Sequence, residues 1–241
     1  MLPHYFRNTI YFVAIMYCLG NIATAATNDQ YLEVSAGYAR GEFTFGQEAD
    51  LYHLQLTYGE VHKSYDMSVT APYLFLKDTT GNYSGIGDVV VRAGTMLEKN
   101  ASSSQGLYGS VAIKLPTASE SKGLGTGKVD LGGFLSYTHE LLDMNLTVMG
   151  GYIITGDSPT QKYEDVLVYG AGLSKFITPW YFYGSVEGRQ KLLATESDLL
   201  DLNAGFFYQL KTQQFLKAEG YIGLNSSTPD YGISIGIVNW F

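Results

Sequence analysis

The sequence is poor in cysteine, in charged residues and in long hydrophobic runs. Its one cysteine, Cys18, lies within the first 25 residues, and Met16 and Tyr17 precede it where a lipoprotein signal requires small residues. The rest of the chain therefore has neither disulfides nor a catalytic thiol. Charged residues make up 16% of the chain, against roughly 25% in soluble domains. After the first 25 residues there is no run of about 18 apolar residues, which excludes a spanning helix.

The first 25 residues have the pattern of a secretory signal peptide. They include one arginine and no acidic residue, and an apolar segment runs from Ile10 to Leu19. Ala23, Thr24 and Ala25 then supply small residues where a signal peptidase cleaves. The apolar segment is too short to cross a bilayer. We therefore expect a cleaved signal peptide at 1–25 and one barrel domain at 26–241.

Beyond residue 30, apolar and polar side chains alternate with the period of a β-strand. Many of the alternating segments are about ten residues long, which suits a tilted membrane strand better than a soluble strand of about five or six. The twelve predicted strands are 31–38, 51–58, 64–73, 87–97, 106–115, 129–139, 144–155, 165–176, 180–189, 199–210, 214–224 and 230–241.

Charged side chains in the middle of these strands fall on the polar face. In the third strand, for example, Asp66 shares one face with Ser68 and Thr70, whereas Met67 and Val69 share the other. A charge on a lipid-facing side costs roughly 2–4 kcal/mol at mid-membrane, and the pattern avoids that cost. We therefore expect ten charged residues to line the lumen: Asp66, Asp88, Arg92, Lys114, Asp130, Glu187, Arg189, Asp201, Lys217 and Glu219.

The connections between strands alternate between long and short. The long ones are 39–50, 74–86, 116–128, 156–164, 190–198 and 225–229. The short ones are 59–63, 140–143, 177–179 and 211–213, with a moderate connection at 98–105. This alternation predicts an all-β, transmembrane, antiparallel up-and-down barrel of about 12 strands, with short periplasmic turns and longer extracellular loops.

The C-terminal segment "YGISIGIVNWF" places apolar residues on one face and ends in Phe241. It resembles the signal that the barrel-assembly machinery recognises in outer-membrane proteins, although Asn239 stands where that signal has an apolar or aromatic residue. We therefore expect this machinery to be a partner during biogenesis.

The glycine-rich stretch "KLPTASESKGLGTGKVDLGG" at 114–133 does not form a phosphate-binding loop. Such a loop would need glycine at position 122, which is Lys122, and Ser or Thr after Lys128, which is followed by Val129. A strand rather than a helix follows, so that no helix N-terminus offers its amides. We expect "TASESKGLGTGK" to be an exposed outer loop.

No constellation for catalysis or metal binding stands out in the sequence. His53, His62 and His139 are scattered, and neither a metal-binding motif nor a Ser–His pair accompanies them. We therefore expect no enzymatic activity, no metal and no cofactor. The ten interior charges comprise six acids and four bases. They are open to two interpretations: a lining that selects ions, or a salt-bridge network that fills a narrow barrel.

Two segments resemble the outer-membrane family named for the MetA-pathway of phenol degradation. "GIGDVVVRAGTML" at 85–97 resembles that family's G-[LI]-G-D strand start, and "KLPTASESKGLGTGKVDLGGFLSY" at 114–137 resembles its K-x-P-T-G turn, glycine-rich loop and aspartate. Ala118 stands where the family has glycine. The matching residues are Gly85, Gly87, Asp88, Lys114, Pro116, Thr117, Gly125, Gly127 and Asp130. The resemblance implies an outer-membrane transporter, often linked to aromatic or hydrophobic compounds.

We therefore expect a monomeric outer-membrane channel for passive passage or uptake of small molecules, hydrophobic or aromatic ones among them. Its surroundings would be outer-membrane lipid and lipopolysaccharide, and its substrate is a small molecule that the sequence does not identify. The formal net charge of −8 disfavours nucleic acid as a partner. The alternatives are a narrow porin for acidic sugars, which the excess of interior acids opposes, a lipid-acting enzyme, and a structural or surface-interaction barrel.

Overall fold

In the computed structural model, one closed antiparallel sheet contains most of the described chain. The structure describes residues 28–44, 47–62, 64–99, 105–156, 163–192, 197–225 and 228–241. The signal peptide expected at 1–25 lies outside these residues. Within them, the one helical element is a 3-10 turn at Glu120–Lys122. No helix in the described ranges is long and apolar enough to cross a membrane.

The strands of the described chain are numbered β1 to β13 in sequence order. Their bounds are Asn28–Thr44, Gln47–His62, Asp66–Lys77, Asn82–Ile86, Val89–Lys99, Gly106–Leu115, Asp130–Leu141, Met144–Ile154, Val166–Ile177, Trp180–Arg189, Leu199–Lys211, Gln214–Gly223 and Tyr231–Trp240. Sequence neighbours pair antiparallel, and β1 pairs with β13 to close the ring.

Two of these strands share one position in the barrel wall. β4 pairs with the second half of β3 and β5 pairs with its first half. The wall built from the described residues therefore has twelve strand positions, which confirms the predicted strand number. The fourth predicted strand, 87–97, corresponds to β5, which begins two residues later, at Val89. The connection predicted at 74–86 is wrong in part, because β3 extends to Lys77 and β4 lies within it.

The hairpin of β1 and β2 is longer than predicted. The two strands have 17 and 16 residues, and their pairing extends over most of the long loop expected at 39–50. Polar cross-strand contacts support this extension: Tyr38 Oη donates to Asp50 Oδ1 at 2.7 Å, and Arg40 Nη2 lies 3.3 Å from Glu48 Oε2. The extension escaped detection because its outward-facing positions, such as Arg40 and Glu48, are charged, whereas those of a membrane-spanning strand are apolar.

Side chains alternate between the barrel interior and its outer surface. In β3, Asp66, Ser68 and Thr70 are buried inside, whereas Met67 and Val69 are exposed on the outside. In β13, the isoleucines at 233, 235 and 237 are exposed and Ser234 is buried. Large apolar side chains on the outside and polar ones inside are the arrangement of a barrel surrounded by lipid.

The interior also contains apolar side chains, in three clusters among the described residues. The first lies at the short-turn, periplasmic end and consists of Tyr31, Tyr181, Phe207, Phe215, Val238 and Trp240. The second lies at the loop, extracellular end and consists of Val90, Ala112, Phe134, Ile153, Val166, Val168 and Leu192. The third lies at the same end and consists of Ala39, Ala49, Leu51, Leu74, Leu76, Ala118 and Leu124.

Candidate functional site at the loop end of the barrel

The residues that carry the family resemblance meet at the loop end of the barrel. Lys114, next to last in β6, faces inward, and its Nζ lies 2.6 Å from Asp130 Oδ2 and 3.5 Å from Asp88 Oδ2. The same ammonium group donates to Thr126 Oγ1 at 2.6 Å. These four side chains, the Lys114 cluster, are all buried. Lys114 and Asp130 are register partners in β6 and β7, and Asp88 comes from the break between β4 and β5.

The Lys114 cluster holds the loop at 116–129 against the wall. Asp88 Oδ1 accepts a hydrogen bond from Ala118 N at 3.0 Å. Thr117 Oγ1 donates to Gly87 O at 2.7 Å and accepts from Val89 N at 2.9 Å. Both hydrogen bonds of Thr117 therefore end on backbone groups at the break between β4 and β5.

The expectation of an exposed loop at 117–128 is wrong for part of this segment. Glu120, Ser121 and Lys122 are exposed. Ala118, Leu124, Gly125 and Thr126 are buried. The reason is physical: Leu124 packs against inward-facing apolar side chains of the wall, and the Lys114 cluster binds the chain on both sides of it.

At two of the family's glycines the local structure disfavours any other residue, once through a close contact and once through a positive φ. A Cβ atom on Gly125 would lie 2.6 Å from Asp88 Oδ2, which leaves no room for a side chain. Gly127 has φ +67°, in the left-handed region that favours glycine. Gly85 faces Leu124, and Pro116 lies at the start of the loop directly after β6.

A second ionic cluster lies on the opposite side of the interior. Lys217 Nζ lies 3.3 Å from Glu33 Oε1 and 3.3 Å from Glu219 Oε1. Glu219 also accepts hydrogen bonds from Tyr183 Oη at 2.8 Å and Ser234 Oγ at 3.0 Å. Glu33 was missed from the sequence, although its parity in the first strand placed it on the polar face.

A third cluster connects β3, β5 and β6. Arg92 Nη2 donates to Tyr108 Oη at 2.6 Å, and Tyr108 Oη donates to Asp66 Oδ2 at 2.6 Å. Arg92 Nη1 lies 3.9 Å from Asp66 Oδ1. Tyr108, a second residue missed from the sequence, thus bridges the guanidinium and the carboxylate. It faces inward with Ser110 and Ala112, a parity that the sequence already contained.

The last three of the ten charged residues lie on β10 and β11. Glu187 Oε1 accepts hydrogen bonds from Ser185 Oγ at 3.1 Å and Asn203 Nδ2 at 2.9 Å. Asp201, its register partner, is buried, whereas Arg189 on the same face of β10 is half-buried.

Burial divides the ten charged residues into two groups. Glu187, Arg189 and Glu219 are partly exposed. Seven are buried, namely Asp66, Asp88, Arg92, Lys114, Asp130, Asp201 and Lys217. Six of those seven take part in the ion pairs described above. For those six, the geometry favours the salt-bridge network over an ion-selecting lining, because a buried ion pair presents no free charge to a passing solute.

The three described histidines lie in different environments. His53 faces the interior, His62 Nε2 lies 3.3 Å from Glu60 Oε2 at the periplasmic end, and His139 stacks beside Tyr137 on the outer surface. Among the described residues, no group of three or more His, Cys, Asp or Glu is arranged to hold a metal ion.

An apolar depression of about 930 Å³ lies on the outer surface of the wall. Its floor contains the small outward-facing residues Ala93, Gly109, Gly133 and Gly150, and Tyr65 and Tyr152 stand among its borders. Because these residues share the lipid-facing parity, the depression is open to the membrane and is separate from the barrel interior.

The fold is similar to those of several solved outer-membrane barrels. The COG4313 outer membrane channel from Pseudomonas putida F1 has a TM-score of 0.75 at 11% identity, over 90% of this chain and 97% of that one. The KdgM porin in complex with disordered oligogalacturonate has a TM-score of 0.58 at 8% identity, over 86% of this chain and 98% of that one.

The translocator domain of the autotransporter NalP from Neisseria meningitidis has a TM-score of 0.56 at 12% identity, over 95% of this chain and 97% of that one. A channel, a porin and a translocator domain thus share this architecture, so the fold by itself does not assign a function. None of the curated protein sequences matches the chain.

A match to a protein family covers almost the whole chain. The family is described as "Putative MetA-pathway of phenol degradation", and its sequence model matches residues 20–240. The matched region contains both segments in which the family resemblance was recognised, together with all thirteen described strands. The chain therefore belongs to the MetA-pathway of phenol degradation family.

Proposed function

We propose that the protein is an outer-membrane channel for small apolar molecules, aromatic ones among them. The supporting observation is the set of apolar clusters inside the barrel at both of its ends. A porin that conducts ions and sugars has a polar interior. An apolar constriction disfavours water and ions, because they lose hydration there without gaining new contacts. Apolar solutes lose little hydration on the same path.

The positions of the interior cations argue against the acidic-sugar alternative. Such a porin would need basic side chains free to bind carboxylates. Arg92, Lys114 and Lys217 are instead buried and already lie beside carboxylates of the protein. The likeness to the KdgM porin therefore supports the fold but not its ligand class.

The proposal includes the location and assembly expected from the sequence. The signal at 1–25 would be cleaved on export, and the chain would be inserted as a monomer into a membrane of outer-membrane lipid and lipopolysaccharide. Phe241 would take part in recognition by the barrel-assembly machinery. In the structure, its backbone pairs with Gln30, with N–O distances of 2.9 and 3.1 Å.

Uptake by whole cells tests this function, since a lipopolysaccharide-containing outer membrane is the barrier that slows apolar solutes. Gram-negative cells lacking their general porins would be given radiolabelled naphthalene, arabinose or galacturonate, with and without the protein. We expect the protein to speed the uptake of naphthalene and to leave the uptake of arabinose and galacturonate unchanged. Faster uptake of galacturonate with unchanged uptake of naphthalene would refute the proposal in favour of the acidic-sugar porin.

A further inference from the structure

Two leucines from different loops insert into the loop end of the barrel. Leu124 comes from the loop at 116–129, and Leu192 follows β10. Their side chains have exposures of only 1% and 5%. Buried leucines are common in a protein core, but these two belong to loops that the sequence predicted to be external.

The two leucines cover different sectors of the wall. Leu124 belongs to the cluster formed by inward-facing residues of β1, β2 and β3, such as Leu51 and Leu74. Leu192 belongs to the cluster formed by inward-facing residues of β5 to β9, such as Phe134 and Val166. Together they fill apolar volume on both sides of the loop end, where a solute from outside would first meet the interior.

The loops that carry the two leucines are anchored differently. The Lys114 cluster and the Asp88 contact to Ala118 N bind the first loop through buried charged groups. The chain at Leu192 is bound through a hydrogen bond from Glu164 N to its carbonyl oxygen at 2.7 Å. The position of Leu124 therefore depends on Lys114, although the lysine side chain is not part of the apolar cluster.

We propose that Leu124 and Leu192 determine the specificity of the channel at its extracellular entrance, and that Lys114 is the positioning residue for Leu124. This inference rests on the proposed function, because it assigns the residues that admit apolar solutes and exclude polar ones. Because both leucines are buried, a solute must displace them to enter. A sugar that does so would give up hydrogen bonds to water and find no replacement on an isobutyl group, whereas an aromatic hydrocarbon has none to lose.

The first experiment changes the polarity of the entrance at nearly constant size. Leu124→Asn and Leu192→Asn would be compared with wild type for uptake of arabinose and naphthalene in the cells described above. We expect arabinose uptake to rise about tenfold relative to naphthalene, the rate equivalent of about one restored hydrogen bond. The control is Leu131→Ala, which changes a lipid-facing leucine at the same end.

The second experiment measures the position of Leu124 without any transport. The chain has no cysteine after Cys18, so a single introduced thiol can be labelled by a water-soluble maleimide. We expect Leu124→Cys to be protected from labelling and Ser121→Cys, exposed in the same loop, to react freely. Adding Lys114→Met should abolish the protection at position 124 in barrels that remain folded.

The outcomes separate this inference from the proposed function. If wild type takes up naphthalene but neither asparagine variant changes the ratio, the leucines do not set specificity and the inference is overturned, whereas the proposed function stands. If wild type does not speed naphthalene uptake but the asparagine variants admit arabinose, the proposed function fails and the leucines still close the entrance. Labelling at position 124 as fast as at 121 would overturn the placement of Leu124.

Discussion

Removal of the buried ammonium group of Lys114 should destabilise the barrel strongly. Lys114→Met keeps the length of the side chain and leaves Asp88 and Asp130 buried without their cation. Coulomb's law at an effective dielectric constant of about 20 gives attractions of about 6 and about 5 kcal/mol for contacts of 2.6 and 3.5 Å. Desolvation of the ions offsets much of this attraction. Removing one partner of a buried pair costs about 3–5 kcal/mol, and we expect a loss of this size.

The measurement is the guanidinium unfolding curve of the protein in lipid vesicles, followed by the fluorescence of its two tryptophans. The control is Lys122→Met, which removes an exposed lysine of the same loop and should leave the midpoint nearly unchanged. The triple variant Asp88→Asn, Lys114→Met, Asp130→Asn removes all three charges and should recover most of the loss. A midpoint for Lys114→Met equal to that of wild type would refute the buried-network reasoning.

Three further perturbations test other parts of the structure. Gly125→Ala should lower the free energy of unfolding by about 1–3 kcal/mol through overpacking, whereas Gly133→Ala, with no atom within 4 Å of the new Cβ, should be neutral; equal effects would contradict the packing. Tyr108→Phe leaves two buried charged groups without their bridge and should cost about 1–3 kcal/mol in the same assay, while Tyr137→Phe on the lipid-facing side should not. In the turn after β3, hydrogen bonds from the side chain and backbone of Thr80 and from Gly81 N hold the pKa of Asp78 below its usual value of 3.8. Its contribution to turn stability is therefore present above that value and lost as the pH falls through the lowered pKa. A carboxyl NMR titration of Asp78 with a midpoint at or above 3.8 would contradict this contact.

The features that could be predicted from the sequence are those that depend on one residue at a time, without regard to its partners in the fold. The penalty for a polar group in lipid acts on every outward position, so that the alternation around Asp66 and Met67 was readable without any knowledge of partners. The same rule, applied to the first strand, would have found Glu33. Its partner Lys217 is 184 residues away in sequence and becomes a neighbour only through closure between β1 and β13.

The inward loop was not predictable by the same reasoning. Its glycines, serines and lysines have the composition of an exposed loop, and one leucine among them carries little weight in such a pattern. The motif around Lys114 and Asp88 identified the family correctly, but its role depends on a contact between segments that lie on either side of β5. Composition contains no information about that contact.

The break between β4 and β5 links the docking of the loop at 116–129 to the backbone hydrogen bonding of the barrel wall. The carbonyl oxygen of Gly87 accepts a hydrogen bond from the hydroxyl group of Thr117, and the amide of Val89 donates one to the same hydroxyl group. This stretch of wall therefore reaches its full intramolecular hydrogen bonding only once the loop has docked. An assembly intermediate in which the loop has not docked would therefore have a weak point at the fourth strand position.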